Sequence, residues 1–193
     1  MRVIAGKVKG RRLKAPKGRA LRPTADRVKE ALFNILPKDL SGQKVLDLFA
    51  GTGSLGFEAL SRGASEALLI DAARWARKAI HENLQAIGLG DRAKVWQAPV
   101  LKAIRALSRR KETFDLIFLD PPYEKDLVGS ALRAIAAAEI LRESGIVVAE
   151  HSVRERVEAG YGPLRLVDQR RYGATLLSFF GPGPREASKD GEI

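Results

Sequence analysis

The feature that most constrains the fold is a short apolar run that ends in two prolines. Phe114 to Leu119 read F-D-L-I-F-L, and Asp120-Pro121-Pro122-Tyr123 follow directly. A run of this length and composition is typical of a buried strand in a parallel sheet. Proline donates no backbone N–H and fixes φ at about −65°, so the pair locks a loop outside the carboxyl end of the strand. Open α/β sheets bind ligands there, and Asp120 and Tyr123 are therefore predicted to stand at a cleft.

Similar runs recur along the chain and are separated by segments with helical periodicity. Together they predict an α/β domain with a Rossmann-like, seven-stranded, mostly parallel sheet. The last two strands are joined near Tyr172-Gly173 and should form an antiparallel hairpin at the edge of this sheet. The predicted strands cover residues 44–49, 67–70, 93–97, 114–119, 146–150, 164–170 and 174–180.

A helix is predicted before the first strand. Apolar residues at 28, 31, 32, 35 and 36 follow the helical period, Thr24 is expected to be the N-cap, and Pro37 follows the last turn. The polar face of this helix includes Arg27. That face is either solvated or helps to close a ligand site.

A glycine-rich loop follows the first strand and points to a ligand. Gly51 and Gly53 would let the backbone pass close to a bound molecule. The letters G-T-G-S-L-G at residues 51–56 also fit the dinucleotide fingerprint, although as a lone motif this match is weak. Asp47 stands just before the loop, where a carboxylate would repel a pyrophosphate. It would suit a ligand that carries an ammonium group and no phosphate.

Asp71 ends the second predicted strand, twenty residues after Gly51. In nucleotide-binding α/β folds an acidic residue at this place accepts hydrogen bonds from ribose hydroxyls. Taken alone, Asp71 could instead be the N-cap of the next helix.

Length and composition predict a single core. A chain of 193 residues, 45% of them hydrophobic, can form one domain. We expect that domain at residues 23–181, a basic hairpin at 1–22 and a disordered tail at 182–193. The chain has no long apolar run and no signal-peptide pattern, so we expect a cytoplasmic protein without membrane contact. The absence of cysteine excludes disulfides, zinc thiolates and cysteine nucleophiles, and no metal site is expected.

Positive charge is concentrated at the N-terminus. Of a net charge of +11, residues 1–22 contribute nine basic side chains and no acidic one. A one-signed cluster repels itself unless a polyanion binds it, which favours nucleic acid as the partner; a solvated basic tail is the alternative. Val3, Ile4, Val8 and Leu13 alternate with the charges, as in a small β-hairpin. The basic residues are Arg2, Lys7, Lys9, Arg11, Arg12, Lys14, Lys17, Arg19 and Arg22.

These motifs together carry a resemblance. Residues 47–53 (D-L-F-A-G-T-G), Asp71 and Asp120-Pro121-Pro122-Tyr123, in this order, resemble the class I S-adenosylmethionine-dependent methyltransferases that modify exocyclic amines. The basic N-terminus, the segment at 22–33 (R-P-T-A-D-R-V-K-E-A-L-F) and Tyr172-Gly173-Ala174-Thr175 resemble more closely the RsmD family of bacterial guanine-N2 methyltransferases of small-subunit ribosomal RNA. The likeness spans roughly residues 1–180.

The resemblance implies an activity and a substrate. The expected reaction is methyl transfer from S-adenosylmethionine to the N2 amine of a guanine in 16S rRNA, guanine 966 in the family's rRNA numbering. The expected partner is an assembled or partly assembled small ribosomal subunit, and a monomer is expected. Another exocyclic amine of a nucleic acid, such as adenine N6 or another rRNA guanine, is the alternative substrate. Among methyltransferases, DNA amines and protein glutamine also remain alternatives.

The resemblance also implies roles for individual residues. Asp120 and the Pro121 carbonyl would orient the amine, and Tyr123 would stack on a base that has left its own stack. The cofactor would be bound by residues of the first helix and of three strand ends: Thr24, Arg27, Asp47, Phe49, Gly51, Gly53, Asp71 and Ala98. RNA would be bound by the N-terminal cations Arg2, Lys7, Lys9, Arg11, Arg12, Lys14, Arg19 and Arg22.

Two positions depart from the family pattern. Where many relatives have Asp or Asn after the third strand, Gln97-Ala98-Pro99 offers no carboxylate, and Pro99 has no N–H. Adenine would then be held by the Ala98 backbone or by apolar packing. After Asp71, Ala72-Ala73 replaces a more polar continuation, which leaves the ribose contact intact.

Two other classes of protein use some of these features. A nicotinamide-dependent oxidoreductase would share the glycine motif but would leave Asp120 to Tyr123 unexplained. A non-catalytic RNA-binding protein would explain the basic N-terminus but would not need Asp47, Asp71 and Asp120 at three strand ends. Binding of S-adenosylmethionine compared with NAD would separate the first class from a methyltransferase, and an Asp120→Ala comparison would address the second.

Overall fold

The structure is a computed structural model that describes residues 1–15, 23–122 and 126–183; for residues 23–26 it describes the backbone only. Its helices are α1 (Pro23–Ile35), α2 (Ser54–Ser61), α3 (Arg74–Ile87), α4 (Val100–Arg109) and α5 (Leu127–Ala138), with a short 3₁₀ helix at Gly90–Arg92. Its strands are β1 (Lys44–Asp47), β2 (Glu66–Asp71), β3 (Ala93–Gln97), β4 (Phe114–Leu119), β5 (Leu141–Ser152), β6 (Gly160–Tyr161), β7 (Leu164–Tyr172) and β8 (Thr175–Pro182).

One mixed sheet organises the described residues, in the order β3-β2-β1-β4-β5-β8-β7-β6. Strands β1 to β5 pair in parallel, whereas β8 runs antiparallel to both β5 and β7. The predicted α/β class and antiparallel C-terminal edge are confirmed. The sheet has eight strands and not seven, because the two-residue strand β6 pairs with the start of β7.

Helices cover both faces of the sheet. Val45 of β1 packs into one hydrophobic cluster with α1, α2 and α3, and its neighbour Leu46 packs into a second cluster with α4 and α5. This alternation follows from the two-residue period of a strand that is buried on both sides. The carboxyl ends of β2, β1 and β4, where Asp71, Asp47 and Asp120 stand, therefore lie side by side at one edge of the sheet.

The N-terminal segment folds back on itself but forms only a minimal hairpin. A single antiparallel bridge joins Arg2 and Arg12, and turns occupy residues 5–10. Val3 and Leu13 are buried in the same cluster as α1, α2 and α3. The segment is thus attached to the domain by apolar packing and by hydrogen bonds from its backbone to α2, and not by a long ladder of strand pairs.

Helix α1 starts one residue before the predicted N-cap. Pro23 is already its first residue, so Thr24 lies inside the first turn and the N-cap assignment is wrong. Proline suits a first helical position because the N–H that it lacks would have no partner within the helix. The predictions for Lys17, Arg19, Arg22, Tyr123 and the tail from residue 184 fall outside the described residues. Among the described helices, none is long and apolar enough to span a bilayer.

Candidate active site

One cavity of about 950 Å³ opens at the carboxyl edge of the parallel strands. It is lined by three acidic residues at the ends of β1, β2 and β4, which are Asp47, Asp71 and Asp120, together with Gly51 and Pro121. Ligand sites for small molecules have volumes of roughly 300–1,000 Å³, so this cavity can hold a ligand of nucleoside size with a long substituent. Asp120 and the glycine loop thus share one space.

Asp47 is a buried carboxylate with one unsatisfied oxygen. It is 1% exposed, and its Oδ2 accepts a hydrogen bond of 3.2 Å from the Gly56 N–H. Its Oδ1 accepts none from the residues that the structure describes. Burial raises the pKa of this carboxyl to about 7 and the negative charge of Asp71 adds to the rise, whereas the Gly56 and Phe49 N–H groups oppose it. A cation beside Oδ1 would satisfy the oxygen and stabilise the ionised form.

Asp71 holds the glycine loop against β2. The Oδ2 of Asp71 accepts a hydrogen bond from the Gly51 N–H at 3.0 Å, and its Oδ1 accepts one from the Ala73 N–H at 2.8 Å. The N-cap of α3 is Ala73, so Asp71 does not have the alternative role of helix cap. Each carboxylate oxygen keeps a second lone pair, and Asp71 lines the cavity, so it can also accept hydroxyl groups of a ligand.

Gly51 and Gly53 are glycines for different reasons. Gly51 lines the cavity with φ +54°, and a Cβ there would lie no closer than 3.9 Å to any neighbour. Gly53 has φ +85°, and a Cβ there would lie 2.4 Å from the ring of Phe57. Gly53 does not line the cavity, so close packing of the loop on α2, and not contact with a ligand, accounts for it.

The end of β4 forms a second wall of the cavity. Asp120 is exposed and Pro121 is buried, and both line the space. Glu150 of β5 also lines it; Leu119 pairs with Ala149, so Asp120 and Glu150 are neighbours across two parallel strands. The remaining wall on this side comes from α5, through Leu127, Ser130 and Ala131.

The end of β3 offers apolar surface instead of a polar contact. The Ala98 N–H donates to the Asp71 carbonyl at 3.1 Å, so this donor is already used within the fold. Pro99, Val100 and Leu101 line the cavity, together with Trp75 on the facing helix α3. An adenine ring could be held by the Ala98 backbone or by apolar packing, and this geometry favours apolar packing.

The fold and the site agree with the comparisons with known proteins. A family model described as "Conserved hypothetical protein 95" matches residues 1–181. A Bacillus subtilis protein named "Putative rRNA methyltransferase YlbH" is 38% identical over 180 residues, which cover 93% of this chain and 98% of the relative. The Escherichia coli (strain K12) protein "Ribosomal RNA small subunit methyltransferase D" is 34% identical over 153 residues, or 79% of this chain and 75% of the relative. The chain belongs to the RsmD family.

Solved structures extend the likeness to three dimensions. An Escherichia coli protein titled "Putative methyltransferase yhhF" superposes with a TM-score of 0.79 at 29% identity, over 95% of this chain and 98% of that one. A structure titled "SMU.776, a putative methyltransferase complexed with SAH" has a TM-score of 0.68 at 19% identity, over 83% of this chain and 50% of that one. At that identity the second match supports the fold alone. The predicted Rossmann-like methyltransferase fold is confirmed.

The structure brings together only part of the site predicted for an RsmD protein. Asp47, Phe49, Gly51, Asp71, Asp120 and Pro121 line one cavity. Gly53, Ala98 and Arg27 do not line it, and Arg27 is exposed. The Thr24 side chain and all of Tyr123 lie outside what the structure describes. The predicted RNA-binding cations within residues 1–15 are all exposed, and they remain a prediction: Arg2, Lys7, Lys9, Arg11, Arg12 and Lys14.

A buried carboxylate that sequence reasoning missed fixes the basic N-terminal segment. Glu58 of α2 is 0% exposed and accepts the backbone N–H groups of Ile4 at 2.7 Å and Ala5 at 3.0 Å. Arg62 donates to it at 3.0 Å, and the Lys29 ammonium lies 3.7 Å away. A glutamate inside the apolar-looking stretch S-L-G-F-E-A-L-S of α2 was the available signal, because a buried charge needs partners.

The N-terminal segment also reaches the cavity. Met1 lines the cavity, and its sulfur lies 3.8 Å from Thr52 Oγ1. Lys29 donates to the Arg2 carbonyl at 2.7 Å and to Ser54 Oγ at 3.0 Å, and Ser54 is itself part of the cavity wall. The segment that carries the cations is therefore fixed to the same elements that form the cavity.

Proposed function

We propose that this protein transfers a methyl group from S-adenosylmethionine to the N2 amine of a guanine in 16S rRNA. The observation that carries the proposal is the shared cavity, in which a buried carboxylate with an unsatisfied oxygen, Asp47, and the carboxylate at the end of β4, Asp120, face the same space. Membership of the RsmD family supports rRNA as the substrate.

The residues present fit S-adenosylmethionine. Asp47 Oδ1 accepts no hydrogen bond from the described residues, and a ligand ammonium group would satisfy this oxygen and stabilise the ionised carboxylate. Asp71 would accept the ribose hydroxyls, and the apolar wall of Trp75, Pro99 and Leu101 would hold the adenine. A pyrophosphate placed beside Asp47 would be repelled, which disfavours a dinucleotide.

The cofactor supplies an electrophilic methyl group on a positively charged sulfur. The nitrogen that receives it is a poor nucleophile, because its lone pair is delocalised into the base. Asp120 and the Pro121 carbonyl would accept hydrogen bonds from the two N–H groups of this amine, turn its lone pair towards the methyl group and stabilise the charge that develops on nitrogen. Once the methyl group is attached, the nitrogen would release one of these two protons to Asp120 or to water, which leaves a neutral methylated amine. Tyr123 is proposed to stack on the flipped base.

The basic N-terminal segment would hold the RNA. Its cations within residues 1–15 are exposed, whereas its backbone is fixed by the buried Glu58. A rigid basic surface beside the cavity suits a folded RNA whose shape it can bind. We propose that the substrate is guanine 966 in an assembled or partly assembled small subunit, bound in the cytoplasm by a monomer.

The test is methyl transfer from labelled S-adenosylmethionine to small subunits that lack the modification, followed by nucleoside analysis. The proposal predicts label in N2-methylguanosine. Label only in N6-methyladenosine would favour the alternative substrate, and label only in protein would overturn the rRNA proposal. Binding of NAD in preference to S-adenosylmethionine, measured by calorimetry, would contradict the assignment of the cavity.

A further inference from the structure

A second basic surface lies on the outer side of α3, distant in sequence from the N-terminal cations. Arg74, Arg77, Lys78 and His81 occur at helical spacings of three and four, and all are exposed. They line a groove of about 480 Å³ with Glu82, Gln85 and Gln97, which we call the α3 groove. None of the described residues that line it has an apolar side chain, so the groove is suited to a charged, hydrated partner.

The charge of the α3 groove is largely uncompensated. The structure records no ion pair of Arg74 or Arg77 within the part of the chain that it describes. Lys78 lies 3.8 Å from Glu82, but its side chain is 81% exposed, so this pair contributes little. Cations three and four residues apart on one helix repel each other, and a polyanion along the groove would relieve that repulsion.

The α3 groove lies on the same side of the sheet as the N-terminal segment. Asn83, buried on the inner side of α3, accepts the Lys14 N–H at 2.8 Å and donates to the Lys14 carbonyl at 3.1 Å. One buried amide thus fixes the basic segment, at Lys14, to the helix that carries the groove. The two basic surfaces therefore stand in a fixed relation to each other.

One end of the α3 groove adjoins the cavity. Ala72 and Ala73 line the cavity, whereas Arg74, the next residue, lines the groove. Gln97 of the groove donates to the Ala72 carbonyl at 3.5 Å. The groove begins at the end of β3, and Asp120 directly follows β4. These two strands are three strand spacings apart in the sheet, or about 14 Å.

We infer that the α3 groove binds the phosphate backbone of the RNA substrate on one flank of the methylated nucleotide. Arginine forks match phosphate oxygens, and such contacts fix the register of a nucleic acid without reading its sequence. The α3 groove would act with the N-terminal segment, so that the two hold the RNA at two places around the cavity. This inference rests on the proposed RNA substrate.

The test compares two triple variants with the same change in charge. Arg74→Gln/Arg77→Gln/Lys78→Gln alters the groove, whereas Lys102→Gln/Arg105→Gln/Arg109→Gln alters the exposed row of α4 on the opposite face of the sheet. Affinity for small subunits that lack the modification is measured over a series of KCl concentrations. A plot of log affinity against log salt has a negative slope, and each lost phosphate contact should make that slope less steep by about 0.7–0.9. The slope of the groove variant should therefore be less steep than that of the wild type by about 2.

The α4 variant should keep the wild-type slope, and both variants should bind S-adenosylhomocysteine as the wild type does. An unchanged slope in the groove variant, or an equal loss in the α4 variant, would overturn the inference. If the triple groove variant does not fold, the single variants Arg74→Gln and Arg77→Gln should each make the slope less steep by about 1. Failure of the proposed function is a separate result, because the wild type would then methylate no RNA.

Discussion

Asp47 shows how one residue can report on the ligand. Its carboxyl pKa is raised from 3.8 to about 7, chiefly by burial, so the folded chain holds this proton more tightly than the unfolded chain does. The stabilisation is complete below pH 3.8 and is lost as the pH rises through about 7. The shift corresponds to about 4 kcal/mol in the free energy of unfolding. A bound ammonium group would reverse the shift and release the proton.

We therefore expect a rise in pH to lower the stability of the cofactor-free protein and to raise its affinity for the cofactor. Between pH 5 and pH 8, cofactor-free wild type should lose stability relative to Asp47→Asn, as measured by urea unfolding. Its affinity for S-adenosylhomocysteine should rise over this range, by up to about tenfold per pH unit below the pKa, as measured by calorimetry. Asp91→Asn, at an exposed aspartate, should follow the wild type in both measurements. Parallel stability curves for wild type and Asp47→Asn would show that Asp47 is not the titrating group.

Gly53 allows a second test at the level of one residue. Gly53 and Gly10 have nearly the same φ, +85° and +83°, but a Cβ at Gly53 would meet Phe57 at 2.4 Å, whereas a Cβ at Gly10 would meet nothing within 4 Å. Gly10→Ala should cost about 1–2 kcal/mol from backbone strain alone. Gly53→Ala should cost about 1–3 kcal/mol more, because the Phe57 ring must move. Equal losses in denaturant unfolding would mean that the loop adjusts freely.

At the scale of elements, α2 connects the N-terminal segment with the cavity. Its Glu58 accepts hydrogen bonds from the segment and from Arg62, and the nearby Lys29 donates to Ser54 in the cavity wall. The same buried group thus supports both the proposed RNA-binding surface and the wall of the cavity. Packing of Val3 and Leu13 completes this attachment.

Glu58→Gln should destabilise the protein by about 3–5 kcal/mol, because it leaves the charges of Lys29 and Arg62 buried without their carboxylate. The matched control is Glu158→Gln, in which the same substitution removes the charge from an exposed pair with Arg133 at 2.7 Å. That change should cost less than about 1 kcal/mol. Chemical unfolding of both variants measures the difference, and similar losses would contradict the role given to Glu58.

The sequence predicted the elements best where local pattern and burial coincide. Strands β1 to β4 lie within two residues of their predicted ends. Strands β1, β2 and β4 are largely buried apolar runs, whereas β3 is a partly exposed strand at the edge of the sheet. Strand β5 starts at Leu141, whereas the prediction began it at residue 146. The prediction missed this first part because the residues R-E-S-G at 142–145 are mostly polar and show no strand pattern. Strand β6 has only two residues and therefore shows no period. The hairpin of the N-terminal segment is reduced to one bridge because Glu58 and Ser61 of α2 bind its backbone instead.

At the scale of the whole molecule, the sequence predicted those site residues that stand at the ends of strands. Asp47 and Asp71 are the last residues of their strands and Asp120 directly follows its strand, so topology alone brings the three to one edge. Met1, Trp75 and Leu101 could not be foreseen, because they reach the cavity from segments whose positions depend on tertiary packing. The Ala98 N–H was one of two options for the adenine, and only the structure shows that Asp71 already occupies it.

We propose that the methyl donor and the base amine meet where β4 ends, and that Asp120 orients the nitrogen. The most direct measurement is the rate of labelled methyl transfer to small subunits lacking the modification, for wild type and Asp120→Ala, with S-adenosylhomocysteine affinity measured on both. We expect the rate to fall by about 10²–10³-fold while cofactor affinity changes little, because the lost interaction acts on the transition state. A rate for Asp120→Ala equal to that of the wild type would contradict the claim.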